Sequence, residues 1–175
     1  MAGAAKPKVL VLRAAGTNCD AETAHAFASV GAAPEVLHIN RVRENPATLR
    51  GFQILALPGG FSYGDDVASG RILANELMSA LRDELLAFVD RGGMAIGICN
   101  GFQVLVKAGL LPRVDGRAEQ QATLTDNVSG RDTDKWVRVQ PRSGRCASGC
   151  RRWRLWRWQA PGTWCRWKSR RRWAG

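Results

Sequence analysis

Three short apolar runs, Lys8–Arg13, Phe52–Leu57 and Met94–Ile98, each end on a loop marked by glycine, and this repetition leaves the chain few folds to adopt. Strands without polar alternation suit a sheet covered on both faces, the usual state of parallel sheets. The segments between them carry helix signals. Asp20 stands as the N-cap of a helix over Ala21–Val30, which Gly31 stops. A second strand, Glu35–Ile39, follows Pro34, and Asn45-Pro46 opens a short helical turn through Leu49. Leu73, Leu77, Leu81, Leu85, Phe88 and Val89 fall at helical spacing and predict one helix over Arg71–Arg91. A last helix over Gly101–Ala108 ends at Gly109, and Ala122–Leu124 and Trp136–Val139 read as further short strands. The pattern specifies an α/β domain: a flavodoxin-like, mostly parallel sheet with helices on both faces. Its loops 16–19, 59–64 and 97–101 should converge beyond the carboxyl ends of the strands, where such sheets bind ligands.

The third of these loops carries the chemistry. Gly97-Ile98-Cys99-Asn100-Gly101 has the form G-x-C-x-G, a nucleophile elbow with sulfur in place of the serine oxygen. Small flanking residues let a strained strand-to-helix turn close. The thiol then projects at a helix N-terminus, where the dipole favours an anion. The backbone N–H of Asn100 points to where an oxyanion would form, and the Pro58-Gly59-Gly60-Phe61 turn offers a second donor. The alternative for Cys99 is a buried structural cysteine; for the glycine turn, a plain strand ending. Thr17 and Asn18 either bind a ligand or close an Asx-type turn, and Cys19 reads as a small packed residue. Asp65 and Asp66 are a metal- or amine-binding pair, or a helix cap facing solvent. His25 and His38 both precede the elbow and lack the context of a catalytic base.

Composition limits the classes. The 175 residues carry a net charge of +11, yet residues 1–140 hold 15 basic and 15 acidic side chains and are neutral. The whole excess lies in residues 141–175, a tail with ten arginines, one lysine, no acid and six of the seven tryptophans. The charge therefore describes the tail rather than the domain. No apolar run approaches the roughly 20 residues that span a bilayer. Lys8–Arg13 reads as a buried strand, not a signal sequence, so a cytoplasmic protein is expected. Five cysteines without a secretion signal argue against a disulfide framework.

Leu57–Asp65, Ser69–Ala74 and Gly97–Gln103, together with Gly16–Asp20, Leu110–Pro112, Ser129–Arg131 and Lys135–Val137, resemble the triad-type, or class I, glutamine amidotransferases. Within that class they are similar to the family of small glutaminase subunits of phosphoribosylformylglycinamidine synthase, over residues from about 8 to 139. The resemblance implies that Cys99 attacks the side-chain amide of glutamine, forming a γ-glutamyl thioester and releasing ammonia. It implies that Gly60 and Asn100 hold the oxyanion through backbone amides and that Gln103 contacts the glutamine. The ammonia would pass to a large synthetase partner, with a small accessory subunit alongside, for a step of purine synthesis. No cofactor or metal is implied for this chain; ATP and magnesium belong to the large partner.

One part of the family pattern is missing. Amide cleavage needs a general acid to protonate the departing nitrogen and a base to activate water. The family supplies a histidine oriented by a glutamate after the cysteine, whereas here no histidine follows Cys99 and no glutamate follows Glu119. The domain over residues 1–140 is therefore expected to be incomplete on its C-terminal side, and the chain impaired as an amidotransferase. Residues 141–175 have the Arg, Trp, Cys, Gly and Ser content of GC-rich codons read out of register, and are expected to be poorly ordered. Two other readings compete. One is a redox or deglycase-like protein built on the same cysteine elbow. The other is nucleic-acid binding through the tail, where arginines would meet phosphates and tryptophans stack on bases; nucleic acid is not the expected partner. A Cys146/Cys150 metal half-site finds no histidine or acid in the tail to complete it.

Overall fold

The structure, a computed structural model, describes residues 5–113, 119–124 and 131, and the backbone of 138–142 and 155–159. Its centre is a four-stranded parallel sheet in the order β2-β1-β3-β4. The strands are β1 (Lys8–Arg13), β2 (Ala33–His38), β3 (Ile54–Leu57) and β4 (Met94–Gly97). This is the start of the doubly wound order in which the chain leaves the first strand in both directions. Side chains alternate across β1 as the pleat requires. Val9 and Val11, with Ala56 of β3, face helix α1 (Asp20–Ser29) through Ala24 and Phe27. Leu10, Leu12, Leu55 and Leu57 point to the opposite face and build the larger core. Helices α2 (Ile39–Glu44), α3 (Arg71–Ala80), α4 (Arg82–Asp90) and α5 (Asn100–Lys107) supply the other side of that core. Helices therefore lie on both faces, as expected.

Among the described residues β4 is the edge strand of this sheet, and the face it shares with α1 is incompletely covered. Ile54 and Ala56 pair in register with Met94 and Ile96, yet Met94 and Ile96 stay 59% and 44% exposed.

Several boundaries differ from the sequence reading. Ile39 opens α2 instead of closing β2: Ile39 and Val42 are both buried, a helical i, i+3 pair, and the His38 ring caps the turn by accepting the Asn40 N–H through Nδ1 at 3.2 Å. Asp20 is not the N-cap of α1. Cys19 holds that position without a side-chain cap, and Asp20 sits in the first turn, 3.6 Å from Arg13 Nε.

The single helix expected over Arg71–Arg91 is two, broken at Leu81 (φ −127°, ψ 10°). Twenty-one helical residues would run about 30 Å, while strands of four to six residues reach at most roughly 20 Å. The bend keeps the apolar stripe on the sheet, for Leu77, Leu81, Leu85 and Phe88 all stay buried. α4 is further tied to the 3-10 turn Pro46–Gly51 by the exposed fork of Arg50 on Glu84.

Ala122–Leu124 forms no strand; the Gln120 side-chain amide donates to the Ala122 carbonyl, and no neighbouring strand is present there among the described residues. The expected strand Trp136–Val139 is described only from Arg138, where β5 (Arg138–Arg142) pairs antiparallel with β6 (Leu155–Gln159). The rest of 141–175 lies outside the described residues, as do Ser129, Lys135, Trp136, Val137 and the Cys146/Cys150 pair.

Candidate active site at the Cys99 elbow

β4 ends at Gly97, and two residues later Cys99 turns the chain into α5 with φ 50° and ψ −112°. A positive φ at a non-glycine residue is strained and costs on the order of 1–3 kcal/mol, so the surroundings must impose it. They do so by close packing. A Cβ placed on Gly97 would lie 2.4 Å from the Gly101 carbonyl oxygen, and one on Gly101 would lie 2.0 Å from that of Leu57. Both glycines of the G-x-C-x-G pattern are thus required by contact between strand end and helix start. The Cys99 carbonyl accepts from the amides of Phe102 and Gln103 (3.0 and 3.2 Å), which fixes the first turn of α5. The Cys99 side chain is left exposed.

The three glycine-marked loops meet here. Thr17 and Gly60 form an isolated antiparallel bridge, with Phe61 N–H donating to the Gly16 carbonyl at 2.9 Å and Asn18 N–H to that of Gly59 at 3.4 Å. Tyr63 N–H adds a bond to the Ala15 carbonyl at 2.8 Å. Thr17 closes its own turn, its Oγ1 accepting the Ala14 amide at 3.1 Å. Among the described residues the backbone N–H groups of Gly60 and Asn100 donate to no protein acceptor, which leaves both amides available.

Gln103, in the first turn of α5, accepts through Oε1 from Asn100 Nδ2 at 3.1 Å. Asp65 is turned inward: its Oδ1 accepts from the Gly70 amide at 2.9 Å, at the start of α3, and from Asn100 Nδ2 at 3.1 Å. Asp66 stays exposed, and among the described residues no group of three His, Cys, Asp or Glu side chains could hold a metal. Tyr63 donates its hydroxyl to Glu76, which also pairs with Arg43 at 3.1 Å. Burial, followed by the bond to Glu76 and its charge, pushes the Tyr63 phenol up to about 12.

Two features escaped the sequence reading. Cys19 is not simply packed; it is partly exposed beside the elbow, with Gly59 between the two thiols. A Cβ at Gly59 would stand 3.6 Å from Cys19 Sγ and 3.5 Å from Cys99 Cβ. The bond from Cys19 Sγ to Asn18 Oδ1 (3.1 Å) gives that thiol a local partner. Ser62 is 2% exposed, and its hydroxyl has no hydrogen-bond partner among the described residues. Neither histidine reaches the site. His25 is exposed on α1, while His38 ends β2, three strand positions from β4, or roughly 14 Å at normal spacing.

A parallel α/β sheet with a strained, exposed cysteine at a strand-to-helix turn defines a class: nucleophile-elbow domains. The chain belongs to the CobB/CobQ-like glutamine amidotransferase domain family, whose model matches residues 6–160. It is 51% identical over 134 residues to phosphoribosylformylglycinamidine synthase subunit PurQ of Dehalococcoides mccartyi, covering 75% of this chain and 51% of that protein. It is 42% identical over 151 residues to the protein of the same name from Treponema denticola, covering 81% and 56%. Among solved structures it resembles a chain of PurLQS from Thermotoga maritima, with 28% identity and a TM-score of 0.60, over 91% of this chain and 68% of that one. The chain spans about half the length of the curated relatives it matches. No helix among the described residues is long and apolar enough to cross a membrane.

Proposed function

We propose that this chain is the glutamine-handling subunit of a cytoplasmic phosphoribosylformylglycinamidine synthase, and that the exposed Cys99 on its strained elbow is the acyl-accepting nucleophile. The elbow geometry carries the reading: a thiol at the head of α5 with two unoccupied backbone amides nearby. The Cys99 thiolate attacks the side-chain carbonyl carbon of glutamine, and a C–S bond forms. The carbonyl oxygen becomes an oxyanion, which the Gly60 and Asn100 N–H groups stabilise. Collapse breaks the C–N bond once the nitrogen has taken a proton, ammonia leaves, and water later releases glutamate from the thioester. Gln103, in the first turn of α5, contacts the glutamine. The partners are a large synthetase subunit, which holds ATP and magnesium and consumes the ammonia, and a small accessory subunit.

Among the described residues no histidine lies near the thiol to supply the proton needed for C–N cleavage. Both histidines precede the elbow, and they sit on α1 and at the end of β2. This polypeptide therefore acylates with substrates whose leaving group needs no proton and turns over glutamine poorly. The test is labelling with 2-amino-4-oxo-5-chloropentanoic acid, a glutamine-mimicking chloroketone from which the Cys99 thiolate displaces chloride as an anion, read by mass spectrometry. The expected result is one adduct at Cys99, suppressed by millimolar glutamine and lost in Cys99→Ala, with ammonia release from glutamine at least about a hundredfold below that of a triad-bearing relative. Labelling indifferent to glutamine would overturn the substrate assignment. Ammonia release matching the relative, with the large subunit present, would overturn the impairment.

A further inference from the structure

The two oxyanion amides come from different parts of the chain, Gly60 from the loop after β3 and Asn100 from the head of α5, so something must hold their spacing. We propose that the Asn100 side chain and Asp65 form a positioning pair that fixes this spacing. The proposal rests on reading Cys99 as the acyl-accepting nucleophile.

Asn100 is 3% exposed, and its side-chain amide bonds to three parts of the site. Its Oδ1 accepts the Ser62 N–H at 3.2 Å, two residues beyond Gly60. Its Nδ2 donates to Asp65 Oδ1 and to Gln103 Oε1, both at 3.1 Å. Both N–H donors are used and the carbonyl oxygen accepts one bond, three of the four the group can make. Asp65 Oδ1 carries the connection on to the Gly70 amide at the start of α3. The loop held this way needs holding: Tyr63, Gly64 and Asp65 have φ of 55°, 70° and 56° in succession, a left-handed run that two of the three residues enter at a steric cost.

One residue thus offers its backbone N–H to the oxyanion and uses its side chain to brace the loop that offers the other. The polarity is specific. A carboxylate at position 100 would still accept from Ser62, but it would face the Asp65 carboxylate about 3 Å away with no proton between them.

The experiment separates acyl transfer from thiol reactivity. In the reaction with p-nitrophenyl acetate, Cys99 attacks the ester carbonyl, the C–S bond forms, the C–O bond breaks and p-nitrophenolate leaves as an anion, so no general acid is needed. The burst of p-nitrophenolate reads the oxyanion site. Alkylation by iodoacetamide, a displacement that creates no oxyanion, reads only the thiolate and its access.

In the full chain, with the Cys99→Ala background subtracted, the acylation-to-alkylation ratio is expected to fall at least tenfold in Asn100→Asp. It should recover most of that loss in the reciprocal Asn100→Asp/Asp65→Asn variant. There the amide introduced at position 65 donates to the carboxylate introduced at position 100 and still accepts from Gly70, and the Gln103 amide turns to donate. Should Asn100→Asp not fold, Asp65→Ala tests the same brace with the same expected fall. A single variant within threefold of the wild-type ratio, or a double variant no better than the single, overturns the positioning pair. A wild-type chain without a burst that depends on Cys99 overturns instead the reading of Cys99 on which it stands.

Discussion

Gly101→Ala is the sharpest test of why the elbow closes. Ala is the better helix former, and at a position inside α5 the change would by itself stabilise by about 1 kcal/mol. Against this stands a Cβ only 2.0 Å from the Leu57 carbonyl oxygen, 2.6 Å from its carbon and 2.8 Å from its Cβ. Backbone must retreat by at least about 1 Å to reach a tolerable contact, since a carbonyl cannot rotate away as a long side chain can. That carbonyl also accepts the Ile98 N–H at 3.0 Å, so the retreat strains the bond joining β3 to the elbow, which is worth about 1 kcal/mol. Overpacking of this kind costs about 1–3 kcal/mol, so the balance falls near 2 kcal/mol destabilising. The midpoint should drop by roughly 4–8 °C on thermal unfolding followed by circular dichroism. Gly51→Ala is the control, because a Cβ there meets nothing within 4 Å; its midpoint should move by no more than about 2 °C. A Gly101→Ala protein melting at or above wild type would show that the approach of α5 to β3 does not require glycine.

Other outcomes follow from single contacts. Ser62→Ala removes a buried hydroxyl that has no partner, so urea unfolding should show a change between zero and about 1 kcal/mol in the stabilising direction; a loss above 1 kcal/mol would mean the hydroxyl is bonded in solution. Tyr63 holds its proton more tightly when folded, with a value near 12 against about 10 in an unfolded chain. Its contribution is therefore complete below pH 10 and lost as pH rises toward 12, because the unfolded state releases the proton first. Tyr63→Phe should flatten the stability profile between pH 10 and 12, and an unchanged slope in chemical unfolding at those pH values would count against the buried phenol. His38→Gln should leave chloroketone labelling of Cys99 within about twofold, since His38 ends β2, three strand positions or roughly 14 Å from β4; a tenfold fall would bring that histidine into the mechanism.

Much of the fold was legible because its signals are local. Unalternated apolar runs mark β1, β3 and β4, glycines mark the turns after them, and G-x-C-x-G survives as a steric requirement of the strand-helix junction. What escaped depends on distance along the chain. Ile39 reads as the end of a strand because β-branched residues favour strands, and only the buried partner Val42 makes it the first residue of a helix. The break at Leu81 leaves no proline or glycine in the sequence; it arises because a straight helix would overrun the short strands beneath it. Cys19 and Cys99 lie 80 positions apart and become neighbours across Gly59 only when the sheet brings their loops together. Asn100 was read for its backbone amide, and no sequence pattern announced that its side chain reaches Ser62 and Asp65.

The uneven cover of the sheet bears on how this polypeptide behaves alone. Val9, Val11 and Ala56 on the α1 side are fully buried, yet on the same face of β4 Met94 and Ile96 remain 59% and 44% exposed, and the next residue in that alternation, Ile98, is 43% exposed. A parallel strand whose apolar side chains meet solvent, with no strand paired beyond it among the described residues, is a site for self-association. Polar replacement should remove that tendency at little cost, because these side chains give up only part of their surface on folding. Met94→Lys/Ile96→Thr is therefore expected to hold its urea unfolding free energy within about 1 kcal/mol of wild type while lowering light scattering at high protein concentration. Val11→Thr, on the covered part of the same face, should instead lose about 1–3 kcal/mol by burying an unpaired hydroxyl. Equal losses in the two proteins would mean that β4 is covered in solution, and would refute the argument from exposure.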